Sequence, residues 1–131
     1  MNSIENNSPV YLQIAEKLAT RIFGGKIKPG EQLPTVREIA LSEQVNPNTV
    51  QKALAELEKD GLITTKRTSG KFVTSDYELI MRRREEYAVE LTENYENKMR
   101  EVGAEIRMPK ILWPNENINR VKERSGRRWF F

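Results

Sequence analysis

Apolar residues recur at helical intervals in three successive runs. Tyr11, Ile14, Leu18 and Ile22 are three and four residues apart, which predicts a first helix with these side chains along one face. Ser8 is placed to cap it and Pro9 to occupy its first position, where a fixed φ and a missing donor cost nothing. Gly24-Gly25 ends the run. After the turn residues Lys28-Pro29-Gly30, a second helix opens at Thr35, with Glu38 at capping-box spacing, and buries Val36, Ile39 and Ala40. A third carries Val50, Ala53, Leu54 and Leu57 to about Asp60. Asn46-Pro47 repeats the cap-plus-proline start, Val45 and Val50 form a hydrophobic staple, and Gly61 offers a left-handed stop. Only a short polar link around Ser42, Glu43 and Gln44 separates the second and third helices, as a helix-turn-helix requires.

The period then shortens. Leu62-Ile63-Thr64-Thr65-Lys66 and Lys71-Phe72-Val73-Thr74 are rich in β-branched and aromatic residues on either side of Arg67-Thr68-Ser69-Gly70, and predict a hairpin. From about Tyr77 to Val102 the helical period returns, with Ile80, Tyr87, Leu91, Tyr95 and Val102 on one face and charges elsewhere. Such a stripe needs a cover. A second copy of the chain is the simplest one, so these five are the expected dimerisation residues. Pro109, Pro114 and Asn115-Glu116-Asn117 interrupt any further helix, and the stretch from Arg124 to Phe131 mixes aromatic and basic residues without a period. The expected fold is mainly α with a small β-hairpin. Residues 1–76 form a helix-turn-helix with its hairpin, and residues 77–131 a short helical dimerisation region with an irregular end.

Composition removes chemistry more than it supplies it. Cys and His are both absent, which excludes disulfides, thiol nucleophiles, imidazole bases and the usual zinc sites. The carboxylates are scattered along polar helix faces with no Gly-rich phosphate loop beside them, so no enzyme, metal or cofactor is expected. No apolar run is long enough to span a bilayer, and Met1 to Ser8 lacks the pattern of a signal peptide. A cytoplasmic protein without a membrane partner is expected. The net charge of +3 is modest, and residues 1–76 carry 10 Lys or Arg against 9 Asp or Glu. A site for a polyanion must therefore come from local clustering.

One cluster has the right placement. A helix that reads duplex DNA presents polar side chains near its N-terminus, opposite its buried stripe. In the third helix Asn48 and Lys52 lie there, with Thr49 and Gln51 on the flanks. The two amides match adenine N6 and N7, Thr49 a phosphate or thymine methyl, and Lys52 a phosphate. Taken singly, each is an ordinary solvated residue; together they coincide with a capped helix, a short turn and a hairpin. Arg37 is either a surface ion pair with Glu38 or Glu43, worth under ~1 kcal/mol, or a fork for a phosphate or guanine edge. Lys66, Arg67 and Lys71 bracket the hairpin turn, where they could enter a minor groove or simply keep an edge hairpin from aggregating.

The blocks Pro9-Val-Tyr-Leu-Gln13-Ile, Gly30-Glu-Gln-Leu33-Pro34-Thr-Val-Arg37-Glu-Ile-Ala40, Asn46-Pro-Asn-Thr49-Val50-Gln-Lys52-Ala53-Leu54 and Leu57-Glu-Lys-Asp-Gly61-Leu-Ile63 resemble the GntR family of winged-helix regulators. The resemblance covers about the first 76 residues. It implies a winged helix that binds operator DNA as a homodimer, with contacts from Arg37, from Asn46, Asn48, Thr49, Gln51 and Lys52, and from the wing between Arg67 and Lys71, Ser69 and Gly70 included. The family's wing commonly reads Arg-Gly-x-Gly-Thr-Phe-Val, whereas here it is Arg67-Thr68-Ser69-Gly70-Lys71-Phe72-Val73. Most members carry a large effector-binding domain; the shorter remainder here resembles the YtrA subfamily, whose helical C-terminus chiefly makes the dimer. The resulting expectation is a repressor on a palindromic operator, its two reading helices in adjacent major grooves. The alternative is a winged-helix protein-interaction module without specific DNA binding, using the aromatic stripe after the wing. Tyr77, Tyr87, Tyr95, Trp113 and Trp129 could line a pocket for an unidentified small-molecule effector, or serve as core and dimer contacts.

Overall fold

The computed structural model describes residues 8–67 and 69–104. Its elements are α1 (Val10–Phe23), α2 (Val36–Glu43), α3 (Pro47–Lys59), β1 (Ile63–Lys66), β2 (Gly70–Val73) and α4 (Tyr77–Glu101). Thr68, the stretch beyond Ala104, Trp113 and Trp129 lie outside the described residues.

Local chemistry accounts for each boundary. Pro9, not Ser8, is the cap of α1: its ψ of 152° is extended and its carbonyl accepts from Gln13 N–H at 3.2 Å. Ser8 serves through its carbonyl, which accepts from Gln13 Nε2 at 2.9 Å. Thr35 Oγ1 accepts from Glu38 N–H at 3.1 Å and starts α2. That helix continues through Ser42 and Glu43, so the turn falls at Gln44–Asn46, later than the polar link suggested. Gln44 adopts a left-handed conformation at φ 57°, which lets Val45 N–H close onto Ala40 O at 3.0 Å. Asn46 Oδ1 accepts from Asn48 N–H at 2.8 Å and Pro47 opens α3. Asp76 Oδ1 accepts from Leu79 N–H at 3.1 Å, a cap on α4 that the apolar pattern did not reveal.

α1 and α2 both pack on α3, and α3 packs on β1. The core consists of Ile14, Leu18 and Ile22 from α1, Val50, Leu54 and Leu57 from α3, and Leu62, Ile63, Val73 and Ile80, all buried. Each such side chain contributes about 1.5–3 kcal/mol on burial, so the three helices and the hairpin hold together through α3. Val36, expected inside, is only half-buried. β1 and β2 pair antiparallel from Ile63 opposite Val73 to Lys66 opposite Gly70. The other edge of β2 is also occupied. Gly30 N–H donates to Val73 O at 3.0 Å, Val73 N–H to Glu31 O at 2.9 Å and Leu33 N–H to Lys71 O at 2.8 Å.

The described chain falls into two compact units, one ending at Met81 and one beginning at Arg82. The first turn of α4, with Ile80, thus belongs to the helix-turn-helix unit. In the second, Tyr87 and Val89 are buried, whereas Leu91, Tyr95 and Val102 are 39%, 54% and 76% exposed. Among the described residues no helix is long and apolar enough to cross a membrane.

Candidate nucleic-acid interface

Burial of Val50, Leu54 and Leu57 orients α3, leaving Asn48, Gln51 and Lys52 exposed on its other side. Asn48 and Gln51 make no side-chain hydrogen bond among the described residues, so their amides are available to an incoming acceptor or donor. Lys52 extends toward Tyr11 of α1, its ammonium 6.0 Å from the ring centroid, at the outer limit of a cation–π contact. Thr49 is half-buried. Asn46 is exposed, but its side-chain oxygen is engaged in capping α3.

Arg37 is exposed on α2 and takes neither of the acidic partners considered for it. Glu43 instead pairs with Lys17 at 2.8 Å, and Glu38 makes no ion pair among the described residues. The guanidinium is therefore a five-donor fork on α2 with no partner among the described residues.

The wing sorts its three cations differently. Lys66 lies over the Phe72 ring, 4.5 Å from its centroid. Lys71 donates to Glu58 Oε1 and, at 3.0 Å, to Thr65 Oγ1. Arg67 is exposed and has no partner among the described residues. The tip is held by Gln32 Nε2, which donates to Ser69 O. Gly70 adopts φ 98°, and a Cβ there would lie 3.1 Å from Gln32 Nε2, so both its conformation and the close approach call for glycine.

The titration of Glu58 is displaced downward. The hydrogen bond from Lys71, with a second from Thr65, holds its carboxyl below the usual carboxylate range, outweighing partial desolvation. Sequence reasoning missed Glu58, Gln32 and Tyr11. A signal existed for Glu58: a carboxylate in the last turn of a helix faces the negative end of the dipole and calls for a cation. None existed for Gln32, which meets the wing only because residues 30–33 run along β2.

A helix-turn-helix with a capped, polar second helix and a pinned hairpin on its flank defines a winged-helix module. Residues 10–73 match the family model for bacterial regulatory proteins of the gntR family. A solved GntR family transcriptional regulator from Listeria monocytogenes aligns at a TM-score of 0.68 with 34% identity, covering 92% of this chain and 98% of that one. The HTH-type transcriptional repressor YtrA of Bacillus subtilis (strain 168) is 41% identical over 71 residues, 54% of this chain and 55% of that protein. The DNA-binding domain of AraR in complex with operator ORR3 aligns at a TM-score of 0.51 with 31% identity, covering 56% of this chain and 89% of that one. The chain belongs to the GntR family of transcriptional regulators.

Proposed function

We propose that this protein is a repressor that binds a palindromic operator as a homodimer, with α3 in the major groove and the wing tip against the flanking backbone. The observation that carries the reading is the set of polar groups on one module without a side-chain partner among the described residues: Asn48 and Gln51 at the start of α3, Arg37 on α2 and Arg67 on the wing. Amides near a helix N-terminus suit base edges, and guanidinium groups suit phosphate or guanine. The AraR complex with its operator supports the class of ligand, and the name of the YtrA relative supports repression. Exposed Leu91 and Tyr95, four residues apart on α4, and Val102 just past its end support a dimer through the second unit. Two reading helices would then meet half-sites about one helical turn apart.

Fluorescence anisotropy tests the reading. A labelled fragment from immediately upstream of the protein's own gene should bind tightly, with an affinity that falls steeply as salt rises. A scrambled duplex of equal composition should bind far more weakly. Equal affinity for the two would refute sequence-specific control, and no affinity for either would favour a protein-interaction module. The double variant Arg37→Ala with Lys52→Ala should cripple duplex binding without lowering the melting temperature, since both side chains are exposed.

A further inference from the structure

Lys71 was expected to touch DNA, yet its ammonium is turned onto α3. Lys71 Nζ donates to Glu58 Oε1 and to Thr65 Oγ1, and the Thr65 hydroxyl donates to the same Glu58 oxygen at 2.6 Å. The three side chains close a ring across α3, β1 and β2. Thr65 and Lys71 stand directly opposite each other in the hairpin, so the ring fixes one rung of the wing onto the last turn of α3. The rung is held from the other edge as well, where Leu33 N–H donates to Lys71 O. Lys71 stands where the common wing pattern has Thr, a neutral side chain that cannot form an ion pair with an acid on α3. Arg67, four residues earlier, is left as the wing cation without a partner among the described residues.

We propose that Lys71 is a positioning residue: with Glu58 and Thr65 it sets the angle at which the wing leaves α3, and it acts on DNA binding by placing Arg67, not by touching phosphate. The proposal rests on the DNA-binding reading above. A cation that contacts phosphate releases a counterion, so its removal lowers the slope of log affinity against log salt by about one. A cation that acts only by placing another costs that counterion once: with the other already removed, its own removal changes neither affinity nor slope.

Anisotropy titrations across a range of salt, using the upstream fragment and the scrambled duplex, separate these cases. Arg67→Ala should lower the slope by about one. Lys71→Met should weaken binding to the upstream fragment several-fold on its own and change neither affinity nor slope further in an Arg67→Ala background, and Glu58→Lys combined with Lys71→Glu should restore most of the affinity by rebuilding the pair in reverse. Amide hydrogen exchange in β1 and β2 should quicken in Lys71→Met and slow again in the reversed pair. A further loss of affinity and slope when Lys71→Met is added to Arg67→Ala, an unchanged affinity in Lys71→Met alone, or a reversed pair that binds worse than either single change would each overturn the proposal while leaving the DNA-binding reading intact. A parent protein that binds neither duplex would overturn both.

Discussion

At position 46 one side chain is drawn to two tasks, and geometry assigns one of them. Its Oδ1 accepts from Asn48 N–H at 2.8 Å, so it holds together the turn on which Asn48 and Gln51 are displayed. Asn46→Ala should cost about 0.5–2 kcal/mol, seen as a lower midpoint in thermal unfolding. Asn46→Asp keeps the cap and should unfold near the parent's midpoint, yet bind duplex less tightly because it sets a negative charge toward phosphate; equal loss of stability in both variants would remove the capping role. Glu58 gives a second prediction, in pH. Lys71 and Thr65 hold its carboxyl below the ordinary value of 4.5, so the folded state binds fewer protons than the unfolded one near that pH. Its contribution to stability is therefore complete above the ordinary value and is lost as pH falls through the lowered one. The pair is partly exposed, with Glu58 at 36%, so the amount is at most about 1 kcal/mol. Denaturant unfolding of the parent and of Lys71→Met should differ at neutral pH and converge in acid.

Among elements, the junction after α3 is the most constrained. Gly61 adopts φ 76°, and a Cβ there would lie 2.9 Å from Leu79 Cδ2, whereas Gly25, at φ 78°, has open space around it. Gly25→Ala should cost only the conformational penalty of about 1–2 kcal/mol. Gly61→Ala carries that penalty plus displacement of Leu79, and calorimetric melting should rank it clearly below Gly25→Ala. The same junction shows why the elements were legible. Helix spacing, Asn46-Pro47, Thr35 and the β-branched runs are local signals, and each produced the element it predicted. Errors arose where the cause is tertiary. Gln44 carries the left-handed turn without being glycine, which moved the link between α2 and α3 past Glu43. Residues 30–33 lie between the predicted turn at Lys28-Pro29-Gly30 and the Thr35 cap, yet they pair along β2 because the hairpin offers them an open edge.

For the whole molecule, the polar face of α3 was readable because the buried stripe of a helix dictates what remains outside. The division of labour in the wing was not, since Lys66, Arg67 and Lys71 are alike in sequence and differ in having Phe72, no partner among the described residues, or Glu58 within reach. The α4 stripe divides for the same kind of reason: Ile80 and Tyr87 are buried in the chain itself, and Leu91, Tyr95 and Val102 stay exposed. A periodic pattern marks an apolar face but does not say which part of it the chain covers. If the homodimer uses the exposed part, Leu91→Lys with Tyr95→Glu should give a monomer in sedimentation velocity at concentrations where the parent is dimeric. The melting temperature of the double variant should no longer rise with protein concentration as the parent's does, whereas Tyr87→Ala should lower melting at any concentration by removing a buried ring. A monomer engages two half-sites independently and forfeits the linkage between them, commonly worth 10²–10⁴ in affinity. The double variant should therefore lose on that order against the upstream fragment and much less against the scrambled duplex. Dimerisation that survives the double change would move the interface off this face of α4.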